Sequence, residues 1–448
     1  MGQSSTRELL DARSEVSLHA APPFDPDYVH AVSQERRAIS TPLSLATGTG
    51  YSIYKSAIIP FIKAARREVI LVTCFWAPSV TRDEINEALK ELSKKAIASS
   101  SKISVQICFS SSSLLRNMLL PTPKSGQNYP PAAWKKLGLP EPGELTGLNM
   151  LVIRKFFWPF GIIHSKYVII DREIAIFPSC NVSWEPWFEV AVSIRGSVVE
   201  HLFSFHSAFW GNKRSSTAIE SATEHGAVDL AAPFAVMSGA PNASTSLLPS
   251  PHSSTWIPHY LRPRAVISLC PCIPAASPNF SPTPLLKTTY HLLSTARSTI
   301  VILTPNLTEP AVLEALSQAL ERGVHVCVWT NRQLMTVEQL ATAGTTTPNY
   351  IRKLMKRSRE MRGPLRTFYF DDENGPRRAR HGPSCDRETT PIKLHAKVTI
   401  VDGERILLGS GNMDAASWKT SQELGVLIES RHVVDEFKKQ WKYGRLES

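Results

Sequence analysis

Two segments of the chain repeat one set of groups that can move protons and hold an anion. The first reads Ile162-Ile163-His164-Ser165-Lys166-Tyr167-Val168-Ile169-Ile170-Asp171, and the second Lys393-Leu394-His395-Ala396-Lys397-Val398-Thr399-Ile400-Val401-Asp402. In an extended strand, alternate side chains leave the same face, so each His would share a face with its Lys. A single histidine on an apolar strand is more often a satisfied core residue than a catalyst. Two His-x-Lys-x4-Asp matches with matched flanks, among 13 histidines, do not fit chance.

The chemistry that needs such a pair is attack on a phosphodiester. One imidazole attacks phosphorus and forms a covalent intermediate, while the other protonates the departing oxygen and then activates water. Lys166, Lys397, Asn181 and Asn412 can hold the non-bridging oxygens as charge builds, a part that metal ions play elsewhere. Ser179 and Asn181 in Phe177-Pro178-Ser179-Cys180-Asn181 match Ser410 and Asn412 in Leu408-Gly409-Ser410-Gly411-Asn412 at equal distances from each His. Glu189 and Glu423 follow their histidines by 25 and 28 residues, and a carboxylate on one imidazole nitrogen would fix the tautomer. The alternative for both glutamates is a plain strand-end carboxylate.

The elements that must position these groups are also duplicated. Ala65, Arg66, Thr73, His164, Lys166, Asp171 and Asn181 each recur 231 residues later, as Ala296, Arg297, Thr304, His395, Lys397, Asp402 and Asn412. In each copy a helix (Tyr54 to Arg66; Pro284 to Ala296) feeds a buried strand (Val69 to Cys74; Ile300 to Thr304). A second helix (Thr81 to Ala98; Glu309 to Arg322) and a second strand (Ile103 to Phe109; Val324 to Trp329) follow. That order predicts a parallel βαβ unit within a mixed α/β sheet. The chain therefore divides into a polar tail (1–45), a first α/β domain (46–213), a Ser-, Ala- and Pro-rich linker or loop (214–255) and a second α/β domain (256–448). Asp371 to Thr390 is a polar insertion with Arg377, Arg378, Arg380 and His381, either a solvated loop or a basic lid.

Composition narrows the partners. At 448 residues with 42% hydrophobic and 20% charged residues, the chain reads as globular, and its net charge of +11 favours anionic partners. Seven scattered cysteines read as reduced, packed thiols, and no metal or cofactor is implied. No run of eighteen apolar residues suggests a membrane span, and the opening residues lack a secretory pattern. An intracellular protein, cytoplasmic or peripherally bound to a membrane, is expected. Met1-Gly2-Gln3-Ser4-Ser5-Thr6 fits the acceptor pattern for myristoylation of Gly2, against the alternative of a polar tail.

These motifs, with Gly409-Ser410-Gly411-Asn412 and the Ser417 to Glu423 stretch, resemble the phospholipase D superfamily and its paired HKD motifs. The resemblance covers about Gly48 to Asn212 and Trp256 to Lys442. It implies two tandem phospholipase D-like α/β domains, each a mixed sheet flanked by helices, related by a pseudo-twofold axis with the catalytic pair at their interface. By the same resemblance His164 is the nucleophile and His395 the general acid, Lys166, Lys397, Asn181 and Asn412 bind phosphate, and Asp171 and Asp402 support the site. Pro178-Ser179-Cys180 departs from the small glycines usual there and reshapes that side of the pocket.

The resemblance implies phospholipid hydrolysis, nucleic-acid cleavage, or transfer of a phosphatidyl group as in cardiolipin synthases. Lys155-Phe156-Phe157-Trp158-Pro159-Phe160-Gly161, just before His164, favours lipid: its aromatics could meet acyl chains or a membrane interface, unless they form ordinary core. A phospholipid is therefore the expected substrate, with peripheral membrane contact. A nuclease is the first alternative, and a scaffold that only binds anionic lipid is the second. With both motifs in one chain, no dimer is needed.

Overall fold

A computed structural model describes residues 36–111, 126–156, 162–211, 237, 240–250, 283–371, 390–419 and 421–446. Gly2, the aromatics Phe157, Trp158 and Phe160, and the arginines of the 371–390 insertion lie outside the described residues.

The first half runs β1 (Arg36–Thr49), α1 (Gly50–Ile53), a π-helical turn (Tyr54–Ile58), α2 (Ile59–Ala64), β2 (Glu68–Phe75), α3 (Val80–Ala98), β3 (Ile103–Ser111), β4 (Gln127–Asn128), β5 (Leu148–Arg154), β6 (Tyr167–Ile170), β7 (Ile174–Pro178), β8 (Trp187–Gly196) and α4 (Ser197–Trp210). The second runs β9 (Ala243–Ser250), α5 (Pro284–Thr295), β10 (Thr299–Leu303), α6 (Pro310–Glu321), β11 (His325–Thr330), α7 (Thr336–Ala343), α8 (Thr347–Ser358), β12 (Leu365–Tyr369), β13 (Lys393–Leu394), β14 (Val398–Val401), β15 (Arg405–Gly409), α9 (Ala415–Lys419), β16 (Glu423–Glu429) and α10 (Arg431–Gln440). Both predicted βαβ units form. Strand β2 pairs in parallel with β3, as β10 does with β11.

The strands join into one mixed sheet whose order from the centre outward is β1-β8-β7-β6-β2-β3-β5 on one side and β9-β16-β15-β14-β10-β11-β12 on the other. The two sequences of neighbours correspond element by element, so the internal repeat is a pseudo-twofold repeat of the fold. The seam is the antiparallel pair β1–β9, from Arg36 opposite Leu247 to Ser40 opposite Ala243. This differs from the division drawn from the sequence. Residues 36–45, read as tail, and 243–250, read as linker, are the two central strands. They look polar because buried hydroxyls pair across the seam and its flank: Ser40 with Thr245 at 2.9 Å, and Ser44 with Ser193 at 2.6 Å. A hydroxyl bonded to another hydroxyl can sit in a core at little cost.

Alternation along the strands sends side chains to different cores. In β2, Val69 and Leu71 pack with α2 and α3 in a core of the first half, whereas Ile70 and Val72 face a core shared by both halves. That shared core holds Phe205 and Phe209 of α4 together with Val433 and Phe437 of α10. A third core, with Leu316 and Leu320 of α6, belongs to the second half. The shared core on one face and the β1–β9 seam fix the halves against each other, and with them the motif segments.

Candidate active site

The motif segments bend before their strands begin. The strands start at Tyr167 and Val398, after the lysines, so His164 to Lys166 and His395 to Lys397 are irregular and strict alternation does not govern them. The amides of His164 and Ser165 both donate to the carbonyl of Gln422, and those of His395 and Ala396 both donate to that of Phe188. Each segment is therefore pinned to the opposite half.

The carboxylates cross in the same way. Glu423 accepts from His164 Nδ1 at 3.0 and 2.9 Å, and Glu189 accepts from His395 Nδ1 at 2.6 Å. Each glutamate thus serves the histidine of the other copy, not the one it follows in sequence. An ionised carboxylate is only an acceptor, so the proton sits on Nδ1 and leaves Nε2 as a lone pair. Ser410 donates to Glu423 at 2.5 Å and Ser179 donates to Glu189, while the same hydroxyls accept from the amides of Leu424 and Val190. The serines therefore orient the carboxylates. Burial alone would raise both glutamates; for Glu189 the opposing influence of His395, Lys397 and Ser179, and for Glu423 that of His164, Lys166 and Ser410, brings each below the usual carboxylate range.

The two histidines differ. The His164 side chain is 12% exposed and no described group hydrogen-bonds its Nε2, whereas that of His395 is 5% exposed and its Nε2 accepts from Lys397 Nζ at 3.0 Å. Trp187 lies against the His395 ring, with centroids 4.9 Å apart. Burial pushes the His395 imidazole down to about 4 against the pull of Glu189, and pushes the Lys397 amine down to about 7. Burial also lowers His164, with Glu423 opposing. Both lysines reach back to the carbonyl of their own histidine, at 2.7 Å in each case.

Asn412 shows how the amides are oriented. The amide N–H of Thr347 donates to Gln339 Oε1 at 2.7 Å, which turns Gln339 Nε2 toward Asn306 Oδ1 at 2.9 Å. Asn306 Nδ2 then meets Asp414 Oδ2 at 3.3 Å, and Asn412 Nδ2 meets the same carboxylate oxygen at 3.1 Å. Because a backbone N–H can only donate, this relay fixes every amide along it. Among the described residues Asn412 Oδ1 is left buried without a partner, as is Asn181 Oδ1 in the first half. Asn412 and Lys397 line one cleft, together with Thr304, Gly411, Ser417 and Trp418.

Asp171 and Asp402 do not join the histidines. Asp171 Oδ1 accepts from the amides of Arg67 and Glu68 at 2.7 and 2.8 Å, and Asp402 Oδ1 from those of Arg297 and Ser298 at 3.0 and 2.8 Å. Both sit in turns with positive φ, 52° and 55°, and lock the start of β2 or β10. The catalytic motif thus includes two aspartates, Asp171 and Asp402, that hold backbone amides at the strand starts and do not face the histidines. Lys155 and Phe156 are buried rather than membrane-facing, with Lys155 Nζ donating to the Phe209 carbonyl at 2.5 Å. Burial lowers that amine to about 8. At the departure from the family pattern, Pro178 ends β7 opposite Ala191, while its counterpart Gly409 faces Gly425 so closely that a Cβ would lie 2.4 Å from the Leu424 carbonyl. Only the second half requires the glycine.

Sequence reasoning did not find Trp187, the carbonyls of Phe188 and Gln422, or the Gln339–Asn306–Asp414 relay. Glu189 and Glu423 are 234 residues apart, not 231, because the Glu follows the Asn by eight positions in one copy and eleven in the other, and that spacing does not mark which histidine each meets.

Comparison with known proteins agrees with this architecture. Residues 290–443 match the family model described as cardiolipin synthase, PLD-like domain. The phosphatidylserine synthase of Haemophilus influenzae Rd KW20 aligns over 91% of this chain and 89% of its own, with a TM-score of 0.51 at 14% identity. Nuc, a phospholipase D family member from Salmonella typhimurium, aligns over 36% of this chain and 89% of its own at 20% identity, with a TM-score of 0.25. None of the curated proteins matches the sequence. The family model thus supports the resemblance to the phospholipase D superfamily over residues 290–443, and the chain shares the mixed α/β fold of the phosphatidylserine synthase. No described helix is long and apolar enough to cross a membrane.

Proposed function

We propose that the chain is a phosphodiesterase that works through a phosphohistidine on phospholipids, by hydrolysis or by transfer of the phosphatidyl group to an alcohol. The observation that carries this reading is the crossed His–Glu pairing, which leaves Nε2 of His164 without a partner among the described residues and sets the second imidazole one hydrogen bond from the Lys397 amine.

In this reading His164 Nε2 attacks phosphorus as the bond to the leaving oxygen breaks. At rest the proton that the leaving oxygen needs is held on Lys397, 3.0 Å from His395 Nε2. An arriving phosphodiester anion raises the proton affinity of both groups, so His395 can take that proton and hand it on. Neutral His395 next accepts a proton from water or an alcohol, whose oxygen displaces His164 from phosphorus. Lys166 and the amide groups of Asn181 and Asn412 lie with the phosphate oxygens. The lipid assignment is supported by the cardiolipin synthase-type domain in the second half.

The test is to quench turnover of phosphatidylglycerol, phosphatidylcholine and DNA, each labelled at phosphorus, and to look for acid-labile label on the protein. Label from the lipids on the parent protein, absent in His164→Ala, is expected. Label from DNA alone would replace the lipid assignment with a nuclease, as the +11 charge would suit. Lipid binding without turnover of any diester would leave only a scaffold.

A further inference from the structure

Few large apolar side chains are exposed among the described residues, and five of the nine stand beside the site: Val80 (44%), Trp184 (61%), Met335 (39%), Val337 (82%) and Leu340 (47%). Trp184 lies three residues after Asn181. Val80 opens α3 next to Thr81, whose hydroxyl donates to the carbonyl of Ser183 at 3.3 Å. Both therefore border the Asn181 loop.

Across the pseudo-twofold, Met335, Val337 and Leu340 belong to α7 and its entry. The segment leaves β11 at Asn331, whose side chain brackets Leu394, the residue before His395, with bonds of 2.7 and 2.9 Å. The inner side of α7 is fixed to the site by Gln339, through the relay that ends on Asn412. Val337 and Leu340 are one turn apart and hence on one face. Met335 takes a left-handed backbone, φ 53°, which costs energy in a residue with a Cβ. The helix that follows, α8, carries Arg352, Lys353, Lys356 and Arg357 and no acidic residue between Thr347 and Ser358. Arg357 is ion-paired with Glu314, which leaves Arg352, Lys353 and Lys356 as the cations of the helix that follows the apolar tips in sequence, a combination that suits acyl chains under anionic headgroups.

We propose that α7 with Met335, and Trp184 with Val80, form a lip that inserts into the surface of a bilayer containing anionic phospholipid. The site then takes its diester from that surface and not from solution. This rests on the phospholipid reading above and adds where the substrate is met.

The full chain and the variants Val337→Glu/Leu340→Glu and Trp184→Ala are floated with vesicles of phosphatidylcholine and phosphatidylglycerol in equal parts. Turnover is measured on those vesicles and on short-chain phosphatidylglycerol dissolved as monomers. The double variant is expected to lose about tenfold or more in vesicle binding and vesicle turnover, and Trp184→Ala several-fold, with monomer turnover unchanged. Vesicle binding equal to the parent would overturn the proposal. So would a fall from dimer to monomer in sedimentation, which would make the face a contact between copies. If the variants lose vesicle binding but the parent turns over neither form of lipid, the docking stands and the phospholipid cleavage reading fails.

Discussion

The motif of the first half and that of the second contain the same residue types in settings that differ in a graded way. His164 is the more open, its Nε2 without a partner; His395 is the more enclosed, capped by Lys397 and flanked by Trp187. The lysine is common to both motifs, whereas the flanking ring is not. Trp187 is matched in the other half by Ser421, two residues before Glu423 as Trp187 is before Glu189. The neighbours of a repeated motif can set its two histidines apart.

The sharpest way to break this comparison is to remove the imidazoles against two leaving groups. His164→Ala should lose at least about 10³-fold in turnover whatever the leaving group. His395→Ala should lose as much in turnover of a phospholipid, but far less in the first, nitrophenol-releasing step on a p-nitrophenyl diester, whose leaving oxygen needs no proton, while its second step stays slow. A burst of nitrophenol in His395→Ala and none in His164→Ala supports the assignment; the opposite pattern inverts it.

A smaller effect separates the crossed carboxylates. Glu423→Gln should lower turnover roughly 10²- to 10⁴-fold by releasing the tautomer of His164, and Glu189→Gln should do the same through His395. NMR of the imidazoles reads the connection directly. A His164 signal that moves in Glu189→Gln and not in Glu423→Gln would contradict the crossing.

The smallest predicted change is in stability. Burial holds the Lys397 amine at about 7 against 10.5 for an ordinary lysine, so below pH 7 the folded protein carries a poorly solvated charge that the unfolded chain does not. Lys397→Met should therefore raise stability by about 1–3 kcal/mol below pH 7, with the gain fading as pH rises from 7 toward 10.5, even as activity is lost. Thermal melts across that range check it, and a gain that grows with pH would show that the amine is not held down.

The candidate site was legible in the sequence because it repeats: both motifs, the shared spacing of 231, and the Ser and Asn that follow. The βαβ units were legible from their apolar runs. The middle of the sheet was not, because β1 and β9 bury Ser and Thr pairs that look like solvent-facing residues until their partners, some 200 positions away, are known. The crossed glutamates were missed for a related reason. Distance along the chain from Glu189 to His164 is short, yet the fold brings it to His395, and nothing in the spacing of the sequence marks the exchange. Asp171 and Asp402 show that a motif position can be fixed by a turn as firmly as by a reaction.

The β1–β9 seam has a consequence for descent. Two separate identical subunits joined across such an axis could complete each other's sites, but every mutation would strike both sites at once. Once the halves are continuous in one polypeptide, a change can be kept on one side alone. Pro178 opposite Gly409 and Trp187 opposite Ser421 are changes of that kind, open only to a lineage in which the twin genes had become one.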